Sequence, residues 1–135
     1  MCCTVPYGST QILRTYFLLG FPSSRPLGRD LAQRAWAAFR SASLTHSGRS
    51  AIIVIGTQNP GSGDLLLTVT AATVKPFQLR FDRVPDGQTL REAIFSTIPE
   101  ADYFNDVHGS ALYKRHLTYY LSEQIRAELL GGAET

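Results

Sequence analysis

The feature that most constrains this chain is a change of hydrophobic period just after residue 50. Ala51-Ile52-Ile53-Val54-Ile55 is an unbroken run of mostly β-branched residues. Such side chains lose rotamer freedom in a helix and pack well on a pleated surface, so the run predicts a strand covered on both faces. Gln58-Asn59-Pro60-Gly61-Ser62-Gly63 cannot continue it and reads as a hairpin loop. From Leu65 to Ala72 the pattern alternates, with Leu65, Leu67, Val69 and Ala71 facing one way and Thr68 and Thr70 the other. Lys75-Pro76 interrupts the ladder, because proline has no N–H to give it. A third strand follows, with Phe77, Leu79 and Phe81 inward and Gln78, Arg80 and Asp82 outward. Strands joined by links this short form an antiparallel meander.

The flanking segments read as helices. Ala32, Ala35, Trp36, Phe39 and Ala42 recur at three- and four-residue spacing, which predicts a helix over residues 30–42. Thr89-Leu90-Arg91-Glu92 has the form of a capping box and opens a helix that buries Leu90, Ile94 and Ile98 and stops at Pro99. Ser110 caps a last helix running to about Leu130, with Tyr113, Leu117, Tyr120, Leu121, Ile125 and Leu129 as its apolar stripe. The predicted fold is α+β, a three- or at most four-stranded antiparallel sheet with about three helices on one face. The predicted core comprises Ile53, Leu67, Val69, Leu79, Phe81, Ile94, Leu117 and Leu121. The 135 residues accommodate one such domain, residues 29–131, preceded by an irregular segment, residues 1–28, punctuated by Pro6, Gly8, Gly20, Pro22, Pro26 and Gly28.

Charge and cysteine usage narrow the function classes. The net charge is only +2, yet residues 1–50 hold six arginines against the single acid Asp30. Those arginines are scattered and have no interleaved aromatic residues, so they read as a solvated face and a nucleic-acid surface ranks low. Cys2 and Cys3 are adjacent and have no other thiol to pair with, which points to a reducing, cytoplasmic setting without a disulfide framework. The apolar run Tyr16–Phe21 is too short to span a bilayer. Gly61 and Gly63 lie in a hairpin turn and not ahead of a helix, so they form neither a dinucleotide fingerprint nor a P-loop. No G-x-S-x-G elbow is present, and neither cysteine has an evident base. Asp106, His108 and His116 are donor types that suit a metal, but the histidines lack the i, i+4 spacing of a helical site. They read instead as a hydrogen-bonded loop and a flanking helical histidine. No residue is assigned a catalytic role.

The most informative stretch is Asp106-Val107-His108-Gly109-Ser110-Ala111-Leu112-Tyr113-Lys114-Arg115-His116-Leu117. An acid precedes a glycine, a serine cap follows, and a tyrosine then sits against a basic pair. This order resembles the D-x-x-G-S-x-x-Y-R-R/K-x-L signature near the C-terminus of the flavoprotein (medium) subunit of molybdenum hydroxylases, the family of carbon monoxide dehydrogenase and xanthine dehydrogenase. Asp106, Gly109, Ser110, Tyr113, Arg115 and Leu117 match, and Lys114 stands where arginine is commoner. Leu67 to Pro76 is similar to that domain's second strand and following turn. There the family often has Gly-Gly and Thr-Pro, and this chain has Ala71-Ala72 and Lys75-Pro76. The likeness covers about residues 48–130.

The resemblance implies an antiparallel sheet with a helical layer, serving as the C-terminal domain of an FAD-containing subunit of a molybdenum-dependent oxidoreductase. Such a domain shapes the flavin pocket and the subunit interface and is not catalytic alone. Its implied partners are the FAD-binding segment and the molybdenum and iron–sulfur subunits. The Gly-rich flavin-phosphate motifs belong to other segments, so FAD is expected in the complete subunit and not on this chain by itself. The alternative is a free-standing, non-enzymatic interaction module of the same fold. Asp106, His108, Gly109, Ser110, Tyr113, Lys114 and Arg115 are the candidate loop-cap or partner-facing residues. Lys114 and Arg115 are expected to point away from the apolar stripe, free for an acidic group.

Overall fold

A computed structural model describes residues 36–132. The irregular segment expected over residues 1–28 lies outside them. Four strands, β1 (Trp36–Ala42), β2 (Ile52–Gln58), β3 (Leu65–Thr70) and β4 (Phe77–Phe81), form one antiparallel sheet in the order β1-β2-β3-β4. Two helices follow, α1 (Gly87–Thr97) and α2 (Ala111–Gly132), separated by a single 3₁₀ turn at Glu100–Asp102. The architecture is the expected α+β class, with two helices among the described residues where about three were expected.

The difference lies at the front of the sheet. Residues 36–42, placed in a helix by their three- and four-residue apolar spacing, are strand β1, paired in register with β2 from Trp36 opposite Gln58 to Ala42 opposite Ile52. Two periods coexist in this segment. Trp36, Phe39 and Ala42 recur every three residues, whereas Trp36, Ala38, Arg40 and Ala42 alternate onto the face that α2 covers. Pairing with a strongly β-forming neighbour decides between them, because it satisfies β1's backbone groups while burying Ala38.

The hairpins follow the sequence cues. Between β2 and β3 the Asn59 N–H donates to the Asp64 carbonyl and the Gly63 N–H to the Asn59 carbonyl, with Gly63 at φ +78°. The alternation in β3 and β4 is as expected as far as Thr70: Leu65, Leu67, Val69, Phe77 and Leu79 are buried beneath the helices, and Phe81 is half-buried; Ala71, expected on the same face, lies past the strand end in a left-handed conformation and is exposed, and Ala72 is buried in its place. On β2 it is Ile52 and Val54 that face the helices, so Ile53, predicted to be core, points to the opposite face and is only half-buried. A continuous apolar run carries no phase, and one residue of displacement exchanges the two faces.

Helix α2 lies on β1 and β2. Gly56 makes that approach possible: a Cβ there would sit 2.4 Å from Ile125 Cγ2 and 3.2 Å from Leu129 Cδ1. Arg40, on the same face, pairs with Glu128 of α2. Tyr120, counted in the apolar stripe, is instead about half exposed, and the stripe is completed by the buried polar residues Lys114, Thr118 and Ser122. Helix α1 covers the β4 side through Leu90 and Ile94. It begins three residues earlier than the capping-box reading placed it. Asp86 is the cap, its Oδ1 accepting from the Thr89 N–H (2.8 Å) and its Oδ2 from the Thr89 hydroxyl (2.8 Å). Glu92 accepts from the Gln88 side chain instead. Within α2, Arg126 Nε donates to both oxygens of Glu123 (3.0 and 2.9 Å), and Arg126 Nη1 reaches the Pro85 carbonyl (3.4 Å), which ties α2 to the segment just ahead of α1.

Candidate functional site: the loop capping α2

The segment leading into α2 is fastened from three sides. It is tied to the β3–β4 link, where the Val74 N–H donates to the Asp102 carbonyl, the Phe104 N–H donates to the Ala72 carbonyl, and Thr73 bridges Tyr103. The turn itself closes by reciprocal bonds between Asp106 and Gly109, N–H to carbonyl in each direction (3.2 and 3.1 Å). Finally, the helix end is capped twice: Asn105 Oδ1 accepts from the Ala111 N–H (2.7 Å), and Ser110 Oγ accepts from the Tyr113 N–H (3.2 Å). Ser110 is therefore the cap expected from the sequence. Asn105 is a second cap that sequence reasoning missed, because an acceptor six residues ahead of its donor belongs to no local capping pattern.

Gly109 has φ +142°, a region that favours glycine, and a Cβ there would lie 2.9 Å from Tyr113 Cδ1. Glycine and tyrosine are thus linked by contact: the ring of Tyr113 closes over the glycine. Asp106 does two jobs with one oxygen, since Oδ1 accepts from the His108 N–H (2.8 Å) and lies 2.8 Å from Lys114 Nζ. The lysine ammonium, chiefly, and the His108 N–H hold the Asp106 carboxyl below the usual carboxylate range.

Lys114 departs most from expectation. It is wholly buried, with its ammonium beside Asp106 and 5.9 Å from the centre of the Phe104 ring. The contact with Asp106 is an ion pair rather than a well-aligned hydrogen bond. Two turns of α2 continue the buried polar line, with the Thr118 hydroxyl donating to the Lys114 carbonyl (2.9 Å). Burial pushes the Tyr103 phenol up, and a hydrogen bond with Thr118 pulls the other way. Arg115 is not free either: its Nη1 lies 2.9 Å from Glu100 Oε1. Neither member of the basic pair is held out for a partner. The lysine fits the fourth residue of a helix, where its stem points back over the preceding loop.

What the loop does present is apolar. Val107, within the Asp106–Gly109 turn, is 87% exposed, and Leu112, in the first turn of α2, is 73% exposed. His108 is half-buried, and His116 is exposed farther along α2. The described residues contain no group of three or more metal-type donors. Two shallow depressions lie elsewhere, one between α1 and α2 against Phe95 and Tyr119, the other at the start of α1 against Arg80, Arg83 and Asp86. No helix among the described residues is long and apolar enough to cross a membrane.

A second site on the β3–β4 link carries information of its own. Ala71 has φ +68°, the left-handed region, although it is neither glycine nor asparagine. No protein-family model matches the chain, and no curated protein and no solved structure matches it.

Proposed function

We propose that this chain is the accessory C-terminal domain of an FAD-containing subunit in a molybdenum-dependent oxidoreductase, where it shapes the flavin pocket and the subunit interface without catalysing a step alone. The observation that carries the reading is Ala71. The flavoprotein family often has Gly-Gly where this chain has Ala71-Ala72, and Ala71 occupies the one left-handed position of a non-glycine residue among the described residues. A backbone that asks for glycine, at the place where the family supplies it, supports a shared turn geometry. The Asp106–Leu117 signature supports the same reading. Its acid, glycine, serine, tyrosine and first basic residue all build one capped turn. A motif whose residues serve the shape of a turn suits a domain that positions neighbours.

The test has two arms. FAD titrated into the purified chain should show no stoichiometric fluorescence quenching, since flavin affinity depends heavily on cradling the diphosphate. The chain is then fused in place of the native C-terminal domain of a carbon monoxide dehydrogenase-type medium subunit. Flavin retention above that of the truncated subunit is the expected result. Retention no better than the truncated subunit removes the reading and leaves the free-standing interaction module.

A further inference from the structure

We infer that the bare face of the sheet, the side turned away from α1 and α2, is covered by the chain's own apolar run Tyr16-Phe17-Leu18-Leu19-Gly20-Phe21, which lies outside the described residues. The sequence of β2 is β-branched on both of its faces, a pattern that belongs to a strand covered twice. One covering layer is α2, beneath which Ile52 and Val54 are buried. On the other side Ile53 and Ile55 are only half-buried. Phe39 stands directly across from Ile55 and is 44% exposed, and Leu66 extends the patch onto β3. Among the described residues no element packs over them.

Charge, attachment and size point to the same occupant. Arg80, on the outer strand β4, is the single charge that the four strands place on this face, and the patch around Phe39 and Ile55 lies toward the opposite edge. What covers the patch must be apolar and uncharged, and residues 15–24 hold no charged side chain. The chain enters the sheet at Trp36, the first residue of edge strand β1, so the run is tethered beside the patch. Residues 22–35, when extended, reach about 46–50 Å, and the face is only about 20 Å across. Tethering gives the run an effective concentration on the order of millimolar, against which any separate partner must compete. Four strands about 4.8 Å apart, each about six residues long at about 3.3 Å per residue, present roughly 400 Å². An aromatic side chain buries about 150–250 Å², so Tyr16, Phe17 and Phe21 are enough to cover that area. Two copies meeting here would bury on the order of 800 Å² in total, short of the roughly 1,200–2,000 Å² of stable independent complexes.

The experiment uses the full-length chain carrying Cys2→Ser and Cys3→Ser, so that one thiol can be placed at will. Thr68→Cys puts it on the bare face, directly across from Ile55, and Ser62→Cys puts it in the exposed β2–β3 turn as a reference. Maleimide labelling is timed at each site, with and without the pair Phe17→Ser and Phe21→Ser. The pair should speed labelling at position 68 by about tenfold or more and leave position 62 unchanged, because a covered site reacts only when its cover opens. Labelling at position 68 that is the same with and without the pair overturns the inference. So does protection that grows with protein concentration and survives the pair, which assigns the face to a second copy. If the pair unfolds the chain and speeds both sites, Phe17→Ala and Phe39→Ala are combined in a double-mutant cycle on the denaturation midpoint. Losses that fall short of additive are expected of residues in contact; additive losses overturn the inference.

Discussion

Ala71 and Gly109 show how much single backbone positions carry in this fold. Ala71 is exposed, so replacing it by glycine removes no packing. The left-handed conformation costs an L-residue about 1–2 kcal/mol, while glycine's extra freedom in the unfolded chain costs about 0.4–1 kcal/mol. Ala71→Gly should therefore stabilise the domain by up to about 1.5 kcal/mol, measured as a shifted denaturation midpoint at unchanged slope. Gly109→Ala should do the reverse, losing about 1–3 kcal/mol to backbone strain, and it must also displace the Tyr113 ring. The Asp106–Lys114 pair calls for a cycle of variants. Asp106→Asn leaves a buried ammonium without its carboxylate and should lower the midpoint, and adding Lys114→Met should recover part of the loss. The sign of the pH dependence follows from the carboxylates. Asp86, Asp106 and Glu123 are all held below their ordinary values, by Thr89, Lys114 and Arg126 respectively. Their stabilisation is complete above the unfolded values, near about 4, and is lost as pH falls through the lower folded values. Acid titration of the folded protein should show that loss, with a shallower decline for Asp106→Asn.

Helix α2 depends on its cap and on its buried seam. Ser110→Ala should cost about 0.5–2 kcal/mol, tempered by the second cap at Asn105. Leu117→Ala, removing a buried side chain, should cost about 2–5 kcal/mol in chemical denaturation. Both of these residues could be read from the sequence, because a capping serine and a leucine on an apolar stripe act through local patterns. The first strand could not. Alanine serves either structure, and the arbiter was β2, ten residues farther on, whose pairing local periodicity does not register. Asp86 was missed for a related reason: Asp86-x-x-Thr89 and Thr89-x-x-Glu92 both have capping form, and the threonine satisfies the first of them. In the candidate site the order of residues identified the turn correctly but misplaced its charges. Lys114 was expected outside because it was read as pointing away from the apolar stripe, and only the fold brings Asp106 back over it.

As a whole, the domain is a sheet whose spatial order is its order along the chain. Every described strand pairs with its immediate neighbour in sequence, so each loop to be closed is short and closing it costs little entropy. The sheet can therefore zip up hairpin by hairpin as the polypeptide leaves the ribosome, and it is complete at Phe81, before any of α2 has been made. During that interval Ile52, Val54, Leu67 and Val69, buried in the finished fold, are without the cover of α2. Synthesis that stalls before Ser110 leaves a nascent chain that has made its sticky surface and not yet its lid, which makes the helix at the end of the domain its own late-arriving chaperone.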